Sequence, residues 1–205
     1  MRQDLQGWAQ RLVDEADWQP IHAELAFGIA QRTGLDEASR ERPVEVQGHW
    51  LRGAIDWVEQ HLSRGLRVVD HKTGRDALYV DGQRRSMELR HIAGGHHLQP
   101  LLYAAVTEAI TQKHVESGCL YYCRSRSGFR RYEVVFDDEA KGVLQAVLQT
   151  INSAVQGGRL YTAPEPGACR ICDYRPVCGS GRDEQPLKNG RDATTDALVQ
   201  LRNTP

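Results

Sequence analysis

The sequence carries almost no excess of charge: 26 Lys and Arg stand against 27 Asp and Glu, a formal net of −1 over 205 residues. That excludes a protein that coats nucleic acid by bulk electrostatics, although a local basic groove is still allowed. No apolar run approaches the roughly 18 residues of a membrane span, and mean hydropathy is −0.55. The opening stretch, MRQDLQGWAQRL, lacks the charged-then-apolar layout of a secretion signal, so the cytoplasm is the expected location and no membrane is expected as a partner. No G-x-x-x-x-G-K-[ST] occurs, so any ATP-driven work must come from elsewhere. There is no internal repeat. Cysteine is scarce and unevenly placed. Of five, Cys119 and Cys123 stand in an apolar stretch, while Cys169, Cys172 and Cys178 crowd together as C-x2-C-x5-C. In a cytosolic chain such crowding points to metal ligation before disulfides.

What is present is an ordinary globular balance, 40% apolar and 26% charged residues, enough for one full core or at most two small ones. Leu5, Trp8, Leu12 and Val13 recur at helical spacing over residues 3–16. Residues 21–29 alternate as a strand. A second extended run, VEVQGHWLRGAIDWVEQ, leads through HLSRG to LRVVDHKTG, and the two read as a hairpin. Residues 75–95 read as loop with some helix. LQPLLYAAVTEAITQK is the strongest helix, with Pro100 tolerable in its first turn. Two strands, GCLYYCRSR and FRRYEVVF, flank Ser127–Gly128, and Asp137 or Asp138 can cap a helix running to about Val155. The segment 181–205 reads as a flexible polar tail. The expected class is α/β, a small mixed central sheet flanked by helices.

One constellation carries chemistry. Asp70 and Lys72 are two apart on a strand and share a face, and the hairpin brings Asp56 roughly opposite Asp70. Singly, each reads as a solvent-facing strand residue. Together, Asp56 beside Ile55 and Asp70 after Val68–Val69 stand at core depth, where two carboxylates repel unless a cation holds them. One lysine does not neutralise both. A hard divalent ion such as Mg²⁺ does, and it commonly takes one or two carboxylates plus phosphate oxygens. Lys72 beside it could orient or deprotonate a water or steady phosphorane charge. This pattern describes phosphodiester hydrolysis.

GAIDWVEQ followed by VVDHKTG resembles the core of the PD-(D/E)XK nucleases, and most nearly those of the RecB/AddB type. WQPIHAELAFG resembles the strand that precedes the family's Asp motif, QPLLYA its Q-L-x-x-Y-A helix, and CRICDYRPVCGSG its C-terminal iron–sulfur segment. The matches run in the family's order from about residue 18 to 180. The resemblance implies a restriction-endonuclease-like core over residues 1–180. It makes Asp56 and Asp70 ligands of Mg²⁺ (or Mn²⁺), the carbonyl of His71 a further ligand, and Lys72 the catalytic lysine. Glu24 becomes a supporting acid, or else simply a strand-edge charge. Gln99 and Tyr103, four apart on one helical face, meet the active site and the DNA strand, or Tyr103 serves the helix–sheet core instead.

The same resemblance makes Cys169, Cys172 and Cys178 three ligands of a [4Fe–4S] cluster, whose fourth thiolate this chain does not supply. It has no cysteine before Cys119 and none of the family's upstream catalytic histidine. The chain therefore reads as the C-terminal part of a longer nuclease domain, with a divergent stand-alone protein as the rival. Zinc at the cysteines is a further alternative. Arg124, Arg126, Arg130 and Arg131, interleaved with Phe129 and Tyr132, suit single-stranded DNA, or form an ordinary polar hairpin. The expected function is a metal-dependent DNA nuclease, exonuclease-type, that works with a helicase subunit or domain in double-strand-break repair and recombination. A non-catalytic structural or DNA-binding remnant of such a domain is the alternative.

Overall fold

A computed structural model describes residues 2–30, 36–74, 76, 79–80, 83–84, 91–159, 168–178 and 196–204. In chain order these form α1 (Arg2–Asp14), β1 (Trp18–Phe27), β2 (Val44–Val46), β3 (His49–Leu51), β4 (Gly53–His61), β5 (Gly65–Lys72), β6 (Tyr79–Val80), β7 (Gln83–Arg84), α2 (Gln99–Thr111), β8 (Val115–Tyr122), β9 (Arg131–Val135), α3 (Asp138–Gln156) and α4 (Asp196–Asn203). The chain divides into two compact units, Met1–Gln145 and Ala146–Thr204.

The first unit is built on a five-stranded sheet in the order β1-β4-β5-β8-β9. All neighbours are antiparallel except β5 and β8, which run parallel. A parallel pair needs a crossover, and α2 supplies it. The expected α/β class, a mixed central sheet flanked by helices, is the architecture observed. Three residues link β4 to β5, closed by His61 opposite Gly65. Gly65 has φ +104°, a backbone setting that side chains strongly resist. Leu25, Ile55, Val58, Leu66, Val68, Leu101, Leu120 and Leu144 are essentially fully buried, and each contributes about 1.5–3 kcal/mol by leaving water. Helix α2 lies directly on the sheet at Gly118, where a Cβ would stand 2.2 Å from the carbonyl oxygen of Pro100. Glycine there lets the helix reach the strand.

Two sequence expectations change and a third is met. The extended run over residues 44–60 is two structures: a short β2–β3 hairpin and then β4. Gln47 and Gly48 form its two-residue turn with φ of 50° and 80°, the left-handed pair that tight hairpins require. The first strand begins at Trp18, three residues earlier than the alternation indicates. Asp137, just before α3, accepts a hydrogen bond from Ala140 N at 2.9 Å, as a capping residue does.

The second unit contains the end of α3, a 3-10 turn at Ala168–Ile171 and the helix α4. Of the expected flexible tail 181–205, residues 181–195 and 205 lie outside the described residues, while Asp196–Asn203 is helical, with Asp196 in its first turn and Arg202 in its last. No helix among the described residues is long and apolar enough to cross a membrane.

Candidate active site

The register of the β4–β5 hairpin sets the site. Trp57 pairs with Val69 and Val58 with Val68, so the next position along places Asp56 opposite Asp70. Strand alternation then sends Asp56, Asp70 and Lys72 to the face on which α2 packs. The side chain of Asp70 is 9% exposed and that of Asp56 36%. Asp56 Oδ2 accepts a hydrogen bond from the His71 backbone N–H at 2.7 Å. Lys72 Nζ stands 2.5 Å from Asp70 Oδ2, a close ion pair.

Helix α2 adds the second half. Lys72 Nζ donates to Gln99 Oε1 at 2.7 Å, and Gln99 Nε2 donates to the Tyr103 hydroxyl at 3.4 Å. The spacing of four puts both on the helix face that looks at the sheet. Phe27, at the end of β1, meets the Tyr103 ring edge-on at 6.4 Å between centroids. Because Tyr103 accepts from Gln99, its own O–H is available to donate.

The electrostatics are uneven. Burial pushes the Asp70 carboxyl up from its ordinary value; Lys72 opposes this, and the Asp56 charge adds to it. Burial, with the charges of Asp70 and Asp56, likewise raises Tyr103 and keeps it protonated. Burial lowers His71 despite Asp56. Two carboxylates and a carbonyl are oxygen donors of the kind Mg²⁺ takes, and two carboxylates served by a single lysine carry negative charge that an added cation would offset. Among the described residues no three His, Cys, Asp or Glu side chains gather about one point, so a metal here would draw the rest of its shell from carbonyl, water and phosphate oxygens.

Glu24 lies between the pairs Ala23–Trp57 and Leu25–Ile55, at the register position of Asp56. It is exposed, and its φ of 52° is unusual for a residue within a strand. The four arginines are placed differently from one another. Arg124 and Arg126 both donate to the Thr73 carbonyl, at 3.3 and 3.0 Å. Arg130 donates to the buried carboxylate of Asp76 at 3.1 Å, and Arg131 is paired with Glu15. Arg130 and Arg131 are thus engaged within the protein, and Arg124 and Arg126 buttress the end of β5.

The cysteines are also divided. Cys119 and Cys123 belong to the sheet with Val69 and Tyr121. Burial pushes the Cys123 thiol up to about 11 and Cys119 higher still, which makes both poor thiolate ligands. Cys169, Cys172 and Cys178 lie in the second unit, at and after the Ala168–Ile171 turn. They fall one thiolate short of the four a [4Fe–4S] cluster takes, so the residues present do not by themselves fit that group.

Sequence reasoning missed two features. One is an ion network on the other face of the sheet, Glu59–Arg67–Glu15–Arg131, whose sign in the sequence was a charged residue, Glu59 and Arg67, inside each of two largely apolar strands. The other is an aromatic pocket of about 410 Å³ that includes Trp8, Trp57, His71, Glu24 and Asp56.

The hairpin thus brings two carboxylates and a lysine together, and the crossover helix sets a glutamine on that lysine, the residue types on which the nuclease resemblance rests. A family model of the PD-(D/E)XK nuclease superfamily matches residues 1–179, and the chain belongs to that superfamily. Neither the curated proteins nor the solved structures compared with the chain give a match.

Proposed function

We propose that this chain is a Mg²⁺- or Mn²⁺-dependent deoxyribonuclease module of the RecB/AddB type, exonuclease-type, acting on DNA that a helicase subunit or domain unwinds during double-strand-break repair. The observation that carries the nuclease reading is the single chain of contacts Asp70–Lys72–Gln99–Tyr103, with Asp56 opposite Asp70. The helicase and repair roles rest on the order of the sequence motifs.

Asp56, Asp70 and the carbonyl of His71 would hold the metal. When bound, it would neutralise phosphate charge and lower the pKa of a bound water. Lys72 is a positive point charge fixed between Asp70 and Gln99, aimed by two partners, so its remaining N–H bonds face phosphate oxygen or water. Gln99 positions Lys72 and, through its amide N–H, turns the Tyr103 hydroxyl so that it donates outward. Burial keeps that hydroxyl protonated at neutral pH, which makes it a steady donor to a non-bridging phosphate oxygen.

The test is cleavage of end-labelled DNA in Mg²⁺ by the purified chain. Activity that Asp70→Ala removes supports the reading. A protein that binds DNA equally well as wild type and as the double variant Asp56→Asn, Asp70→Asn, without cleaving, would leave a non-catalytic module instead. The [4Fe–4S] assignment for Cys169, Cys172 and Cys178 is supported by spacing alone, and iron content with the visible spectrum of anaerobically purified protein tests it.

A further inference from the structure

Between the N-terminal half of α1 and the sheet lies the pocket of about 410 Å³ lined by Leu5, Trp8, Glu24, Asp56, Trp57 and His71, with Ala23 and Cys123 completing it. Its volume lies within the range of small-ligand sites. Its wall is an aromatic cluster. Trp8 stacks on Trp57 with centroids 5.5 Å apart, and His71 meets both edge-on at 5.6 and 5.2 Å. Two nitrogens of that cluster, Trp8 Nε1 and His71 Nε2, are buried without a hydrogen-bond partner, an uncommon condition in a folded protein. Leu5 is 58% exposed, so the helix spends an apolar side chain on the pocket's rim instead of the core.

The lining selects its own occupant. Its lining includes Glu24 and Asp56 and no lysine or arginine, so nothing in it pairs with a phosphate backbone. Aromatic surface favours a neutral, planar group, and the exposed Glu24 at the edge offers an acceptor for an exocyclic amine. Asp56 also belongs to the candidate catalytic hairpin, so whatever fills the pocket lies beside the phosphate being cut. We propose that the pocket receives an unpaired nucleobase flanking the scissile phosphate, which makes the enzyme read unpaired rather than duplex DNA at its active site. This rests on the nuclease reading for the position of the phosphate. A base still stacked and paired in a duplex cannot enter without being extruded.

The experiment measures binding, not cleavage. The full chain in Ca²⁺ is titrated onto a fluorescent single-stranded oligonucleotide, and then onto a series in which one abasic residue is stepped along the strand. Wild type is expected to lose about tenfold in affinity at one or two adjacent abasic positions, as for one stacked base, and to bind the matching duplex more weakly. Trp8→Leu, which keeps apolar cover, should bind the intact strand about tenfold more weakly and be indifferent to the abasic position. Leu5→Glu, at an exposed site that folding does not need, should do the same and serves if Trp8→Leu misfolds. A wild type that is equally indifferent to every abasic position, yet cuts DNA in Mg²⁺, overturns the pocket and leaves the nuclease standing. A wild type that neither binds nor cuts overturns both.

Discussion

The two faces of the central sheet bury charge in opposite ways. On the face toward α1, Glu59 and Arg67 are 2% and 4% exposed, and their needs are met. Arg67 Nε donates to Glu59 Oε2 at 2.8 Å and Nη2 to Glu15 Oε2 at 3.0 Å. Arg131 is also paired with Glu15, and Ser117 Oγ donates to Glu133 at 2.5 Å. Arg67 lies 4.3 Å over the Trp18 ring and Arg131 4.5 Å over Tyr121. On the face toward α2, Asp70 is buried with a second carboxylate, Asp56, opposite it and one lysine, Lys72, at 2.5 Å from its Oδ2. The same strand, β5, supplies both Arg67 and Asp70. Charge balance is what separates them: the network toward α1 sets guanidiniums against its carboxylates and is built to stay as it is, while two carboxylates that share one lysine leave negative charge for a further cation to offset.

The contrast is broken most severely at Asp70. Asp70→Ala should cut Mg²⁺-dependent cleavage on the order of a thousandfold without unfolding the protein. Asp70→Asn should go further and stabilise the metal-free fold at neutral pH. The carboxyl's folded pKa lies above its unfolded value, so the folded state holds this proton more tightly. Stability therefore rises as pH falls into the carboxylate range, and ionisation weighs against the fold at pH 7. Urea melts of both proteins across pH check this, with the advantage of the Asn variant shrinking on acidification.

Arg67 should give the mirror image. Arg67→Met removes one partner of a buried network and strands Glu59, which costs about 3–5 kcal/mol of stability. Cleavage per folded molecule should be unchanged, because no contact of Arg67 reaches Lys72 or Gln99. Equal losses of activity and stability in this variant would mean the two faces are not independent.

Gln99 falls between these extremes. It touches Lys72 but holds no metal, so Gln99→Ala should lower kcat about ten- to a hundredfold, as for the loss of a residue that orients a ligand, with little change in melting. Gln99→Glu keeps an acceptor for Lys72 and should recover part of the loss. Rescue by Glu and not by Leu would separate a positioning role from mere packing.

The fold was legible where local physics is strong. Val68, Val69 and the polar HLSRG tip marked a hairpin, Pro100 marked a first helical turn, and the structure has both. The β2–β3 hairpin was missed because Gln47, not asparagine or aspartate, takes the left-handed turn position before Gly48. The pairing of Asp56 with Asp70 was readable because a hairpin's register follows from its loop. The roles of Arg130 and Arg131 were not, because their partners, Asp76 and Glu15, lie 54 and 116 residues away. Nothing in a local window distinguishes an arginine that waits for phosphate from one already committed to a distant carboxylate.

The smallest effect concerns how α1 is fastened across the face it covers. Beyond its C-terminal end Glu15 joins the buried network; near its N-terminal end Asp4, its side chain 18% exposed, accepts from Ser125 N at 2.9 Å and Ser125 Oγ at 2.7 Å, with Arg124 at 3.7 Å. The Ser125 backbone and hydroxyl donors hold the Asp4 carboxyl down from 3.8 to about 2. A depressed folded value contributes stability above the unfolded one that is lost as pH falls through the folded one. Wild type should therefore shed stability between about pH 4 and pH 2 that Asp4→Asn, already weaker at neutral pH, no longer has to lose, and the two melting curves should converge near pH 2. Solvent screens this site, so the separation at neutral pH should be much smaller than for Arg67→Met. Parallel curves at all pH values would show that α1 is held by Glu15 and its aromatic packing alone, and the charge on Asp4 would then have no share in keeping Trp8 against the sheet.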